Sequence, residues 1–180
     1  FCPPHMSTQL GVKCPPPRAS NDVQLLNKKS GVEINVASES IPENLTFRLG
    51  FSVAISPDDI VKFHSNCKLK TTESIVSPIV ELRTSCLTDP DLKLSDYLTK
   101  NTGIKITHCG SDFEKNRSSI TVYKLEKSGE FTEVPVYNHT RDLSEAYYLL
   151  GHSSVTIYTK QFCKFAVGQD GFQPSTLIQS

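Results

Sequence analysis

The 180 residues are enough for one domain with a sizeable core, and not comfortably enough for two. Lysine plus arginine equals aspartate plus glutamate at 19 each, and the charges are dispersed, so composition gives no basis for steering toward nucleic acid or an anionic membrane. Apolar runs end after a few residues, far short of a membrane span, so direct membrane insertion is not expected.

The chain opens on Phe1 rather than Met and reads as a piece of a longer protein. Its first 22 residues differ from the rest. Pro3-Pro4 and Pro15-Pro16-Pro17 with few apolar side chains predict a flexible Pro-rich N-terminal leader or linker, placing the folded domain at 23–168 and a tail at 169–180. Within the domain, strand follows strand. Val32, Ile34 and Val36 alternate with polar residues, and from Leu45 through Phe47, Leu49, Phe51 and Val53 to Ile55 the alternation is unbroken. Ser56-Pro57-Asp58-Asp59 reads as the turn that ends this strand.

Ile75 to Leu82 predicts another strand, with Ser77-Pro78 marking an edge or a bulge. Residues 87–101 form a long connection with room for one helical turn, and Ile104 and Ile106 mark a short strand. Ile120, Val122 and Leu125 lead through Lys127-Ser128-Gly129-Glu130 into Phe131, Val134 and Val136, a hairpin. Ala146–Leu150 and Val155–Val167, separated by Gly151-His152, predict a second one. Many short strands without sustained helical periodicity give an all-β class, an antiparallel β-sandwich.

The last of these segments carries the most information. Val155, Ile157, Cys163, Phe165 and Val167 share one parity and should face the core. Phe162 falls on the opposite face, so either that face is covered too or a bulge shifts the phase.

The six cysteines (Cys2, Cys14, Cys67, Cys86, Cys109, Cys163) are an even number, which suits an extracellular disulfide framework without deciding the pairing. No CxxC is present and no His lies at ligand spacing from a Cys pair, which argues against zinc. Sequons at Asn44, Asn116 and Asn138 fit a secreted chain, although about one or two would arise by chance in this composition.

Four segments stand out in chain order: Gly31-Val32-Glu33-Ile34-Asn35-Val36 followed by Ser40-Ile41-Pro42-Glu43-Asn44-Leu45-Thr46-Phe47, then Ser77-Pro78-Ile79-Val80-Glu81-Leu82, then Ile104-Lys105-Ile106-Thr107-His108-Cys109, and last Gln161-Phe162-Cys163-Lys164-Phe165-Ala166-Val167. Together they resemble the ZU-five domain, the module shared by zonula occludens scaffolds, uncoordinated-five netrin receptors, ankyrins and the death-domain protein PIDD. The first is similar to the family's opening, the second to its "S-P-V-V-E" strand, the third to its "L-x-I-P-H-C" and the last to its closing "H-F-S-x-F-A-V". The match covers about residues 30–168 in family order. The chain departs from the family in several ways. Thr107 stands where the family has Pro, Phe131 where it has Trp, and Gln161 and Cys163 where it has His and Ser.

Some members cleave themselves at the bond matching Phe162–Cys163. A thiol is an adequate nucleophile for that chemistry, but it needs a base within hydrogen-bond reach. Gln161 cannot shuttle protons, which leaves His108, His139 and His152 as the candidates on neighbouring strands. The competing reading makes Cys163 a buried structural thiol. His108 and Cys109 are adjacent on a strand and point to opposite faces, so they cannot pair. Asp58-Asp59 and Asp89/Asp91 sit in turn contexts where aspartate bonds its own backbone. Nothing resembles a phosphate loop, a nucleophile elbow or a metal cluster, so no cofactor, metal or small-molecule substrate is expected.

The resemblance implies a non-catalytic protein-interaction module of a scaffold or death-domain signalling protein, docking on an adjacent domain of its own chain or on a protein partner such as spectrin. It implies a cytoplasmic setting, including the intracellular part of a receptor. The alternatives are self-cleavage between Phe162 and Cys163 and an extracellular glycosylated sandwich.

Overall fold

The computed structural model describes residues 10–13, 23–27, 30–37, 47–54, 57–66, 73–86, 89, 91–96, 98–107, 117–138 and 146–170. In chain order the elements are β1 (Leu10–Lys13), β2 (Val23–Asn27), β3 (Val32–Val36), β4 (Phe47–Ala54), α1 (Pro57–Asn66), β5 (Glu73–Ile75), β6 (Ile79–Cys86), β7 (Thr102–Thr107), β8 (Ile120–Leu125), β9 (Phe131–Val134), β10 (Tyr147–Leu150), β11 (Ser154–Thr159) and β12 (Lys164–Asp170). They form two antiparallel sheets. One runs β1-β4-β6-β12-β8-β9, with β5 also paired to β12. The other runs β10-β11-β7-β3-β2. The all-β sandwich expected from alternation is the observed architecture.

Alternation decides which side chains meet between the sheets. Phe51, Val53, Val80, Leu82, Val122, Phe165 and Val167 from one sheet pack with Val32, Ile34, Val36, Ile104, Ile106, Val155 and Ile157 from the other, all buried. Each such side chain contributes about 1.5–3 kcal/mol when fully removed from water, which makes this layer the principal source of stability. At one margin the sheets are stitched together. Val136, just beyond β9, bridges to Tyr148 of β10, where Tyr137 N–H donates to Tyr148 O (2.8 Å) and Tyr148 N–H to Pro135 O (3.0 Å).

Four sequence expectations change. First, the stretch Val155–Val167 is two strands in different sheets. β11 pairs β7 and β10, while β12 pairs β5, β6 and β8. The expected parity survives the break, with Val155, Ile157, Cys163, Phe165 and Val167 all buried. The inward positions on either side of the crossing, Thr159 and Cys163, keep the same parity because three residues lie between them.

Second, Pro57–Asn66 is a helix where a turn was expected. Proline in the first turn followed by two aspartates is favourable helix-opening chemistry, because proline needs no N–H partner there and carboxylates complement the helix dipole. Phe63 of this helix is buried, packed with Ile79, Tyr123, Leu125 and Ala166 on the outer face of the larger sheet.

Third, Leu10–Lys13 lies inside the segment read as a leader, yet pairs antiparallel with β4, with a register shift between Leu10 and Lys13. The rest of residues 1–22 lies outside the described residues. Fourth, β12 continues through Asp170, two residues into the segment read as a tail.

Other expectations correspond closely. The β8–β9 hairpin closes through Glu126 N–H to Glu130 O (2.8 Å), with Gly129 at φ 91°. The long connection holds a 3-10 turn, Leu94–Asp96, and buries Leu98. The Ser77-Pro78 signal marks a break between β5 and β6.

Candidate functional site at the sheet crossover

The chain passes from one sheet to the other between Thr159 and Lys164, and Phe162–Cys163 lies within this crossing. Thr159 is fully buried, and its hydroxyl ends the strand locally. Thr159 Oγ1 accepts the Gln161 N–H (3.0 Å) and donates to Gln161 O (3.4 Å), taking groups that would otherwise extend the ladder. Gln161 turns its side chain to Lys124, whose Nζ donates to Gln161 Oε1 at 2.6 Å. Lys124 has the inward parity of β8 but sits at the strand's end, so its stem stays covered while its ammonium reaches Gln161 and, at 3.7 Å, Glu126. Cys163 O accepts the Leu82 N–H (3.4 Å), tying the end of the crossing to β6.

Cys163 is 5% exposed within the main core cluster, with Phe162 packed partly against it. Burial pushes the thiol from 9.0 up to about 11, with nearby Lys124 pulling down and Glu126 pushing up. At neutral pH it is therefore the protonated thiol, the weaker nucleophile. Among the described residues the thiol makes no hydrogen bond. It is also free, so a framework pairing all six cysteines is not formed.

Of the histidines expected as bases, His152 occupies the turn between β10 and β11. Ser154 begins β11 and Thr159 ends it, so roughly 17 Å of strand separates that turn from the start of the crossing. His152 is thus not brought to Cys163. His108 and His139 lie outside the described residues. Thr107, which precedes His108, pairs with Ser154 at the end of β11 remote from the crossing.

Clefts flank the crossing. One of about 540 Å³ lies against Lys124, Glu133, Thr159 and Gln161, and one of about 670 Å³ against Arg83, Lys93, Lys127, Phe162 and Cys163. Ser95 and Gln161 border both. Their walls mix both signs of charge, and several charges are already engaged. Glu81 pairs with Arg83 (2.8 Å) and Lys164 (3.8 Å).

A different surface lies on the outer face of the five-stranded sheet. Tyr137, Tyr147 and Tyr158 form a ladder, with ring centroids 5.3 and 5.1 Å apart. Tyr158 lies over Gly103, where an added Cβ would sit 3.6 Å from its ring. Burial, then the neighbouring Tyr158, raises the Tyr147 hydroxyl above its ordinary pKa, with Asn101 opposing through a hydrogen bond. Sequence reading missed both this ladder and the Lys124–Gln161 contact. The residues concerned are well separated in the chain, and only the strand register brings them together.

Among the described residues no group of three or more His, Cys, Asp or Glu is placed to hold a metal ion, and no helix is long and apolar enough to cross a membrane. No protein-family model and no curated protein matches the chain.

Proposed function

We propose that this chain is a ZU-five-like, non-catalytic protein-interaction module of a cytoplasmic scaffold or signalling protein. The observation that carries the reading is the state of Phe162–Cys163. The one bond where the resemblance puts chemistry is flanked by a protonated, buried thiol, and Gln161, in the place of the family's histidine, is held by Lys124. Self-cleavage needs an activated nucleophile and a base within reach, and this arrangement favours packing over both.

The spatial meeting of the landmarks adds support. Ser77–Leu82 and Lys164–Val167 are hydrogen-bonded neighbours in one sheet, and Val32–Val36 and Ile104–Thr107 are neighbours in the other. The clefts beside the crossing are open and of mixed charge, which suits a polypeptide segment with its own paired charges better than a small ligand.

The test uses a purified death domain and a purified spectrin-repeat pair as probes in calorimetric titrations. Saturable binding of either, weakened by Lys93→Glu or Lys127→Glu, supports the reading. A chain recovered as two fragments split between Phe162 and Cys163 overturns it.

A further inference from the structure

The two clefts that flank the crossing carry their charges differently. In the one against Thr159 and Gln161, Lys124 and Lys160 stand against Asp96 and Glu133, so the signs balance. In the one against Phe162 and Cys163, Arg83, Lys93 and Lys127 stand against Glu81 and Glu126. Both of those carboxylates already face cations. Glu81 meets Arg83 at 2.8 Å and Lys164 at 3.8 Å, and Glu126 meets Lys124 at 3.7 Å. Lys93 and Lys127 are exposed, and among the described residues neither ammonium has an ion-pair partner. Asp89 and Asp91, earlier on the connection that bears Lys93, do not line this cleft, and Asp89 Oδ1 accepts the Asp91 N–H (3.0 Å).

The same wall carries apolar side chains. Leu92 and Phe162 are half-buried, each packed partly against the core. Phe162 is the residue out of phase with its strand's inward positions, and it borders this cleft. Resting on the interaction-module reading, we propose that the cleft takes an acidic polypeptide segment of the partner. An apolar side chain of that segment lies against Leu92 and Phe162, and flanking carboxylates meet Lys93 and Lys127. Water screens an exposed lysine, so a lone anion is held weakly there. Burial of the apolar side chain adds affinity, and the carboxylates add selectivity. A nucleic acid or an anionic membrane would call for a broad basic field, whereas lysine plus arginine equals aspartate plus glutamate at 19 each.

The experiment is a heteronuclear NMR titration of the whole 180-residue chain, which registers weak binding. The probe is a synthetic peptide with one leucine between two aspartates, and the control peptide has lysines in place of the aspartates. Saturable amide shifts at Lys93, Lys127 and Phe162 are expected with the acidic peptide and none with the basic one. Lys93→Glu and Lys127→Glu should each weaken binding by roughly threefold to tenfold. Lys160→Glu makes the same charge change in the neighbouring cleft and should leave binding nearly unchanged. The two peptides are compared on the wild type, which keeps the test decisive if a variant misfolds. The absence of saturable shifts overturns the proposal, as do shifts away from the cleft, equal binding of both peptides, or equal weakening by Lys160→Glu. Any of these in an intact chain that still binds the death domain or the spectrin-repeat pair removes this segment chemistry and leaves the interaction module standing. A chain cut between Phe162 and Cys163 overturns both.

Discussion

The Oγ of Ser77 accepts the backbone N–H of Val167 at 2.8 Å, in the centre of the larger sheet where a strand's carbonyl would ordinarily stand. The same hydroxyl donates to Pro78 O at 2.9 Å, and Val76 N–H donates to Val167 O at 2.8 Å. Proline has no N–H to offer, so β5 and β6 cannot run through as one strand beside β12. The serine side chain closes the resulting gap.

Ser77 is 5% exposed, so Ser77→Ala would leave the Val167 amide buried without an acceptor. The expected loss is about 1–3 kcal/mol of unfolding free energy. Urea denaturation with an unchanged m value would register it as a lower midpoint.

Gly31 and Gly129, the two glycines with positive φ among the described residues, should respond unequally to alanine. Gly31 has φ 71°, and an added Cβ would stand 2.6 Å from the backbone oxygen of Thr107, whose N–H already donates to Gly31 O. Gly129 has φ 91° and nothing within 4 Å. Gly129→Ala should therefore cost about 1–2 kcal/mol, the conformational penalty alone, and Gly31→Ala distinctly more. Thermal melts of the two variants side by side test the ranking.

The raised pKa of Cys163 makes a prediction about alkaline stability. In the folded chain the thiol stays protonated up to about 11, while an unfolded thiol ionises near 9.0. Between those values the native state binds more protons than the unfolded state, so stability falls as pH rises, by up to about 1.4 kcal/mol per pH unit. Below pH 9 the contribution is complete. The stability difference between wild type and Cys163→Ala should be constant up to about pH 9 and shrink from there toward 11. Chemical denaturation of both proteins across that window checks the sign.

Placing a histidine at position 161, as in the motif this segment resembles, should not produce cleavage. Gln161→His removes the acceptor of Lys124 Nζ without exposing or ionising Cys163, whose burial comes from the core. Intact-mass analysis of the variant is expected to show an uncut chain.

Alternation made the sandwich legible, because burial on one face writes period two into every long strand. Phe51, Val53, Ile104, Ile106, Val155 and Ile157 are inward as their parity required. Parity could not reveal that Thr159 hands the chain from one sheet to the other, because inward-pointing residues on facing sheets look identical in sequence. Ser77-Pro78 announced a break but not its repair by a side-chain hydroxyl reaching across 90 residues. Helix α1 was hidden because Ser56-Pro57-Asp58-Asp59 serves a turn as well as a helix start. At the candidate site, Phe162, Cys163 and Gln161 were visible as a motif. The Lys124 that engages Gln161 was not, since 37 residues separate them and only the β8–β12 register brings them close.

The central claim, that the crossing packs and does not cut, is tested most directly by the intact mass of the purified wild-type chain after prolonged incubation near neutral pH. A single species of full-chain mass is predicted. Two fragments with a new terminus at Cys163, lost in Cys163→Ala, would contradict it.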